Sequence, residues 1–430
     1  MSRFKVYKFE DIVISKKGFL RGPFGGDLKK EIFVEKGPDT YKVYEQGVVL
    51  NSDKNIGRYY ISKDDYDKKL NKFSVQDKDF LVSCSGANMG AIYQLKSPFE
   101  RGIINQALLR IRLNDAIIDD NYFYYLFSKL ICKRITSGSG DSTIPNFPGL
   151  SVIKDVEIEL PDKNTQIKVG GILSSLDAKI ELNNRINTEL EAMAKTLYDY
   201  WFVQFDFPNA EGKPYKSSGG AMVWSEDLKR EIPLGWSVGE LKEVVSLLVR
   251  GISPKYIDND GIIVLNQRCI RDKSINPIFS RRHDYLSKNA DSKLIVKGDI
   301  LVNSTGVGTL GRVAIMKQLP EELTTVDSHV TIVRIDEAKA NPSFTGYSLT
   351  QKEGEIESLG EGSTGQTELS RENLGRLKLI LPSSDLQENF ALFVEPLFDK
   401  IANNQQENQQ FANLRDWLLP MLMNGQVVVA

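Results

Sequence analysis

Several segments of this chain have residue types and spacings that could do chemistry. Gly306-Val-Gly308-Thr-Leu-Gly311 has the G-x-G-x-x-G spacing of a dinucleotide-binding turn, and Asp327 stands at a suitable distance for a ribose hydroxyl. That chemistry needs a helix to begin at the glycines, so that its free amides face the pyrophosphate. The next residues, Arg312-Val-Ala-Ile-Met316 and then Pro320, read as a strand, and a tight strand-to-strand turn is expected instead. Gly360 to Thr367 has the spacing of a phosphate-binding loop, yet Gln366 stands where the lysine must reach the phosphates. Phe24-Gly25-Gly26 is similar to a methyl-donor-binding loop, and Asn341-Pro-Ser-Phe344 to a tetrapeptide that grips an extruded adenine, but its second proline is absent. Glu240-Leu-Lys242 and Glu337-Ala-Lys339 have the Glu-x-Lys of many nucleases without a preceding Pro-Asp. With His283 and His329 the only histidines, and Cys84, Cys132 and Cys269 far apart, neither a catalytic triad nor a zinc site can be assembled from neighbours. No catalytic set, metal or cofactor is expected, and the thiols read as reduced and cytoplasmic. Met1-Ser2-Arg3-Phe4-Lys5 opens no signal peptide, and no apolar run reaches bilayer length.

Binding chemistry is better represented. The net charge of −2 argues against a simple basic nucleic-acid binder, but the charge is unevenly spread. Residues 1–150 carry 24 Lys and Arg against 18 Asp and Glu; residues 151–230 carry 10 against 13, and 381–430 carry 2 against 6. Residues 231–380 are near balance, but Arg268 to Lys297 holds eight basic and three acidic residues. Basic residues interleaved with Asn, Gln, Ser and Tyr suit phosphate contact and base-edge reading. The candidate DNA-binding residues are Arg21, Lys29, Lys30, Arg58 and Asn88 in the first half. In the second they are Arg250, Lys255, Gln267, Arg268, Arg271, Arg281, Arg282 and Thr309. Asn88 and Thr309 are included because they fall in corresponding glycine turns. An ordinary solvated surface is the alternative for any one of them.

The elements that must position these residues occur twice. Arg21-Gly22 matches Arg250-Gly251, and VQDKDFLVSCSGANMG (75–90) matches VKGDILVNSTGVGTLG (296–311), with Asp79 on Asp299 and Gly86 on Gly306. Gly/Ser/Thr-rich segments at 137–143 and 360–367 precede alternating strands that end in Leu-Pro, at Pro161 and Pro382. From there the register is constant at 221 residues, placing Gln166 on Gln387, Asn183 on Asn404 and Leu197 on Leu418. Each half reads as short strands and turns, succeeded by one long amphipathic helix. Leu173, Leu176, Ile180, Leu190, Leu197 and Trp201 form one helical seam, and Val394, Leu397, Ile401, Phe411, Leu418 and Leu422 the other. The two stripes are expected to pack on each other.

Asn183, Asn187, Asn404 and Asn408 interrupt these seams. Buried there, they would fix helix register; alternatively the helices splay and the amides are solvated, with Ile186 as a competing seam residue. Pro396 is expected to kink or interrupt the second helix, and Gly170-Gly171 to weaken the first. Asp206 to Trp236, with three prolines and four glycines, reads as a surface linker or return loop.

Taken in order, these motifs resemble the DNA-specificity subunits of type I restriction-modification enzymes. The resemblance rests on the duplicated module and helix, Arg-Gly at 21–22 and 250–251, Gly-Asp-Ile-Leu-Val at 298–302 with a looser copy at 78–82, and Leu-Pro-x4-Gln opening each helix. Ile-Pro-Leu-Gly-Trp at 232–236 and Leu-Pro-Met-Leu-Met-Asn-Gly at 419–425 complete it. It implies an α+β fold: two mixed α/β target-recognition domains joined by two long antiparallel coiled-coil spacer helices, a pseudo-two-fold tandem repeat. The implied parts are a first recognition domain (1–161), a central helix (162–205), a linker (206–235), a second recognition domain (236–382) and a C-terminal helix (383–430). The implied role is to direct partners to a bipartite site on double-stranded DNA. Two modification subunits would carry the methyl donor, and restriction subunits the ATP-driven translocase and nuclease, leaving this chain non-catalytic. A nicotinamide-dependent oxidoreductase using the Gly306 turn, and a scaffold that never touches DNA, are the competing readings. Near-neutral charge further predicts weak DNA binding by the isolated chain.

Overall fold

The computed structural model describes residues 4–14, 18–128, 132, 149–362 and 367–427. The chain divides into two compact units, residues 1–181 with 408–430, and residues 182–407. The glycine-rich stretch at 137–143 and Gln366 lie outside the described residues.

In the first unit, one four-stranded sheet has the antiparallel order Phe19–Arg21, Leu108–Ile111, Phe80–Ser83, Ile92–Gln94. A second has the order Phe33–Val34, Tyr60–Ser62, Thr40–Tyr44, Gly102–Ile104, with the last pair parallel. A ribbon of Lys5–Lys8 against Glu157–Leu160 leads into the first long helix. Phe9, Phe19, Phe80, Phe123 and Phe127 fill the core beneath the first sheet, joined by Leu173 from that helix and by Leu419, Leu422 and Met423 from the second.

The second unit has one sheet ordered Val245–Arg250, Val330–Ile335, Ile300–Asn303, Val313–Ile315 and another ordered Tyr256–Ile257, Arg281–His283, Ile262–Leu265, Thr324–Val326, again with a parallel last pair. Its ribbon is Ser237–Glu240 against Lys378–Leu381. Strand for strand, this is the order found in the first unit.

The same polar fastenings recur in both units. Asp79, fully buried, takes a two-pronged bond from Arg112 (2.6 and 2.7 Å) and caps the amide of Gln76. Asp299 does the same with Arg334 (2.7 and 2.7 Å) and Val296. A buried carboxylate is tolerated only when its lone pairs are satisfied in this way. Gln166 is buried at the start of its helix: its amide oxygen accepts from Asp119 N–H, and its nitrogen donates to the Pro161 and Ile117 carbonyls. Gln387 accepts from Asn341 N–H and donates to the Pro382 carbonyl. The glycines of the two Arg-Gly pairs are also accounted for, because a Cβ at Gly22 would collide with the Asn105 carbonyl and one at Gly251 with the Val326 and Asp327 carbonyls.

The long helices run from Lys163 to Tyr198 and from Ser384 to Met423. The second runs through Pro396 without the interruption that was one of the two expected outcomes. Val394 and Phe398 anchor that segment in a buried cluster, while Leu392, whose carbonyl loses its donor, is exposed to solvent that can replace it. Gly170 is a close-approach site and not a weak point: a Cβ there would strike the amide of Tyr122 and the carboxylate of Asp119. The segment read as a surface linker or return loop carries a hairpin of its own. Met222–Ser225 pairs with Arg230–Pro233, and Phe207 stacks on Tyr215 (4.6 Å) and Trp236 (5.2 Å).

Of the seam asparagines, Asn404 donates to the Asn187 carbonyl oxygen at 2.8 Å, both side chains buried, and the Asn404 oxygen has no partner among the described residues. Asn183 instead donates to the Glu407 carboxylate (3.2 Å), and Asn408 is half-buried. An incompletely satisfied buried amide pair costs stability. Replacing Asn187 and Asn404 together by leucine is therefore expected to gain about 1 kcal/mol and raise the unit's thermal midpoint by about 2–4 °C. A fall in the midpoint, read by calorimetry, would show that the pair stabilises the fold.

Candidate nucleic-acid interface

The basic residues singled out from sequence separate into two groups once their partners are known. In the second unit, strand Arg281–His283 lies between Tyr256–Ile257 and Ile262–Leu265. Successive side chains of a strand point to opposite faces, and Arg281 and Arg282 meet different fates. The Arg281 guanidinium carbon sits over the Tyr256 ring, 3.4 Å from its centroid, and the residue is exposed. Arg282 grips Glu321 with both prongs (2.6 and 3.1 Å) and donates to the Gly261 carbonyl (2.5 Å). The guanidinium beside Glu321 holds that carboxyl below its ordinary range. His283 is buried and structural, accepting from Lys255 N–H through Nδ1 (2.9 Å), with Nε2 on the Lys288 carbonyl (2.8 Å).

Lys255 is held by Asp284 (2.8 Å) and Ser287 (3.1 Å), and hydrogen bonds from Lys255 and Ser287 lower the Asp284 carboxyl to about 2. Arg250 bonds the Leu369 carbonyl (2.7 Å) and pairs with Glu368. These three cations are already neutralised within the protein. Arg271, mostly exposed, is only loosely associated with Asp272 at 3.5 Å. Arg268 lies over Phe279 (5.1 Å) and has no carboxylate partner among the described residues. In the first unit, Arg58 rests on Tyr59 (5.1 Å) and donates to its hydroxyl (3.0 Å), and Lys29 and Lys30 are exposed. Arg21 lies over Phe24 (5.0 Å) with its Nε buried and unpartnered among the described residues. Stacking on an aromatic ring fixes a guanidinium without neutralising it, leaving its donors for an incoming anion or base edge.

The glycine segments are hairpin turns. Gly306 to Gly311 joins the antiparallel strands Ile300–Asn303 and Val313–Ile315, with positive φ at Gly306, Gly308 and Gly311. No helix begins there, so no bundle of free amides faces a pyrophosphate, and the oxidoreductase reading loses its one structural basis. Gln267 and Thr309 do come together at this turn. The Gln267 carbonyl oxygen of the side chain accepts from Thr305 (3.4 Å), and Thr309 Oγ1 donates to Thr305 O and Gly306 O (3.1 and 3.2 Å). Asn88 is exposed on the matching turn between Phe80–Ser83 and Ile92–Gln94.

Other segments with catalytic spacing have structural roles. Asn341 caps the helix Pro342–Thr350 through Ser343 and Phe344 N–H (2.9 and 3.1 Å), and burial raises the Cys84 and Cys269 thiols to about 11. Sequence reasoning missed Gln46, which clamps the first turn through Ser83 Oγ and Ser85 O (2.7 Å each), although it stands two residues beyond its strand as Gln267 does. It also missed His329, whose Nδ1 lies 2.7 Å from Thr305 Oγ1. Among the described residues no helix is long and apolar enough to cross a membrane.

Comparison with known proteins agrees with this architecture. The model of the type I restriction modification DNA specificity domain matches residues 2–192 and again 233–412. This chain belongs to that family. It is 27% identical over 360 residues to the type I restriction enzyme MjaIX specificity subunit of Methanocaldococcus jannaschii, covering 82% of this chain and 78% of the relative. It is 21% identical over 411 residues to the HindI specificity subunit of Haemophilus influenzae, covering 83% and 88%. The solved S subunit of a type I restriction-modification system from M. genitalium has a similar fold, with a TM-score of 0.60 at 17% identity over 98% of this chain and 96% of that one.

The neighbouring arginines give a direct test. Arg281→Ala is expected to leave the denaturation midpoint unchanged but to weaken DNA binding and lower the salt slope by about 1. Arg282→Ala should lower the midpoint with little change in the slope. The opposite pattern would place the DNA contact at Arg282.

Proposed function

We propose that this chain is the non-catalytic specificity subunit of a type I restriction-modification complex, directing modification and restriction subunits to a bipartite sequence on double-stranded DNA. The observation that carries this reading is the double match of the family to residues 2–192 and 233–412, over two units with the same strand order. Two similar but non-identical readers explain a target with two different halves. The recognition domains are residues 1–161 and 236–382, with 162–205 and 383–430 as spacer helices and 206–235 as the linker.

The spacers form an antiparallel coiled-coil pair, and the chain a pseudo-two-fold tandem repeat. Support comes from contacts whose numbers run in opposite directions. They are Asp177 with Arg415 (2.6 Å) and Lys179 over Phe411 (5.3 Å) in one unit, and Asn183 with Glu407 and Asn187 with Asn404 in the other. The acidic balance of the spacer segments suits protein partners and leaves DNA to the modules. Methyl donor and ATP belong to the partner subunits, two for modification and a further set for restriction, all in the cytoplasm. The exposed cations Lys29, Lys30, Arg58, Arg268, Arg271 and Arg281 contact DNA, while Arg250, Lys255 and Arg282 shape the surface that carries them. Gln267 and Thr309 also brace the reading turn at Gly306, and Arg21 and Asn88 contact DNA from the first module.

Co-expression with a cognate modification subunit, followed by mapping of methylated adenines, is expected to return one split motif with a fixed gap. A contiguous motif, or none, would reject the reading. Inserting seven residues into both spacer helices should change the gap and leave the outer bases unaltered; an unchanged gap would show that the helices do not set it.

A further inference from the structure

The turn at Gly306 to Gly311 carries an apolar residue in an unusual setting. Val307 is 82% exposed at the hairpin tip, between two glycines of positive φ, so no side chain stands beside it on either flank. Single exposed apolar residues are common and carry no meaning by themselves. This one is held rigidly. Gly306 O accepts from Thr309 and Leu310 N–H (3.1 and 3.0 Å), Asn303 O accepts from Gly311 N–H (2.9 Å), and Arg312 donates to the Gly308 carbonyl (2.7 Å). Leu310 is anchored in the core, and the Asn303 amide reaches beneath the turn to the Gln267 carbonyl (3.0 Å).

Beside the tip lies a small polar shelf. Thr305 links the exposed ring of His329 to the side chain of Gln267, and Asp327 fixes the His329 backbone through its N–H (2.9 Å). The shelf leaves Gln267 Nε2 and His329 Nε2 without partners among the described residues. Fixed hydrogen-bonding groups next to a fixed methyl-bearing tip match the major-groove edge of a thymine and its neighbour, where a C5-methyl group stands beside donor and acceptor atoms.

We propose that Val307 is a specificity-determining residue that packs on the methyl group of a thymine in one half of the target, with His329 and Gln267 bonding the adjacent base edge. This rests on the DNA-specificity reading above. It differs from a general cationic contact because it predicts discrimination at one base pair with no change in salt dependence.

The test uses the full chain in complex with its modification subunits, as wild type and as Val307→Ala, on duplexes carrying the mapped target with each thymine replaced in turn by uracil. At one thymine, loss of the methyl group should weaken wild-type binding about four-fold, while Val307→Ala binds the two duplexes equally. His329→Ala should relax preference at the adjacent base pair in the methylation map. Equal uracil sensitivity of wild type and Val307→Ala at every position, or a half-target without thymine, overturns the proposal and leaves the specificity reading standing. A wild-type complex with no sequence preference sinks both. Because the side chain is exposed, an unchanged thermal midpoint confirms that the variant remains folded.

Discussion

A buried primary amide must find partners for both its donor and its acceptor, and two such amides fix how each module meets its helix. Gln166 and Gln387 sit one turn into the long helices, each bridging the carbonyl at the end of the Leu-Pro strand and an N–H at the start of a short helix in the module. Rotating or sliding the helix would strand that amide in a desolvated site, at a cost of about 1–3 kcal/mol. The Asp79–Arg112 and Asp299–Arg334 pairs add a second fastening, tying the loop before a central strand to its neighbouring strand. Between these fastenings the modules can vary in sequence at their tips without losing their orientation on the helix. Such an arrangement suits proteins whose recognition surface diverges while their architecture does not.

Much of this architecture was legible because it rests on patterns that sequence displays directly. Leu-Pro-x4-Gln marks the end of a strand and the buried glutamine, Arg-Gly marks a strand pressed against a backbone carbonyl, and G-x-G-x-x-G with strand-like residues after it marks a hairpin. The helical stripes were also readable, and each residue assigned to them is at least half-buried. Pro396 does not interrupt its helix because packing on either side is strong enough to hold the helix together. Gly170 misled because a glycine at a close approach looks the same in sequence as one at a hinge.

The candidate interface was less legible, for a physical reason. Arg281 and Arg282 are neighbours of identical type, and only strand alternation and a carboxylate 39 residues away at Glu321 separate an available cation from a neutralised one. The aromatic platforms under Arg268 and Arg58 are likewise set by tertiary folding. Equally, Val307 and His329 were overlooked because charge was the signal sought, whereas a base edge also offers methyl groups and single donors.

The composition of the first compact unit bears on how the protein is made. Its core is completed by Leu419, Leu422 and Met423, and Gly425 lies against the ring of Phe4. About 230 residues, including the whole second unit, are synthesised between Glu181 and Asn408. At roughly 5–20 residues per second, a ribosome needs about 10–50 s to deliver that missing piece. During this interval the nascent first unit exposes an open apolar face. The earliest-made part of the chain is thus the last to close, and premature termination anywhere before residue 408 yields a product that chaperones and proteases will recognise as unfinished.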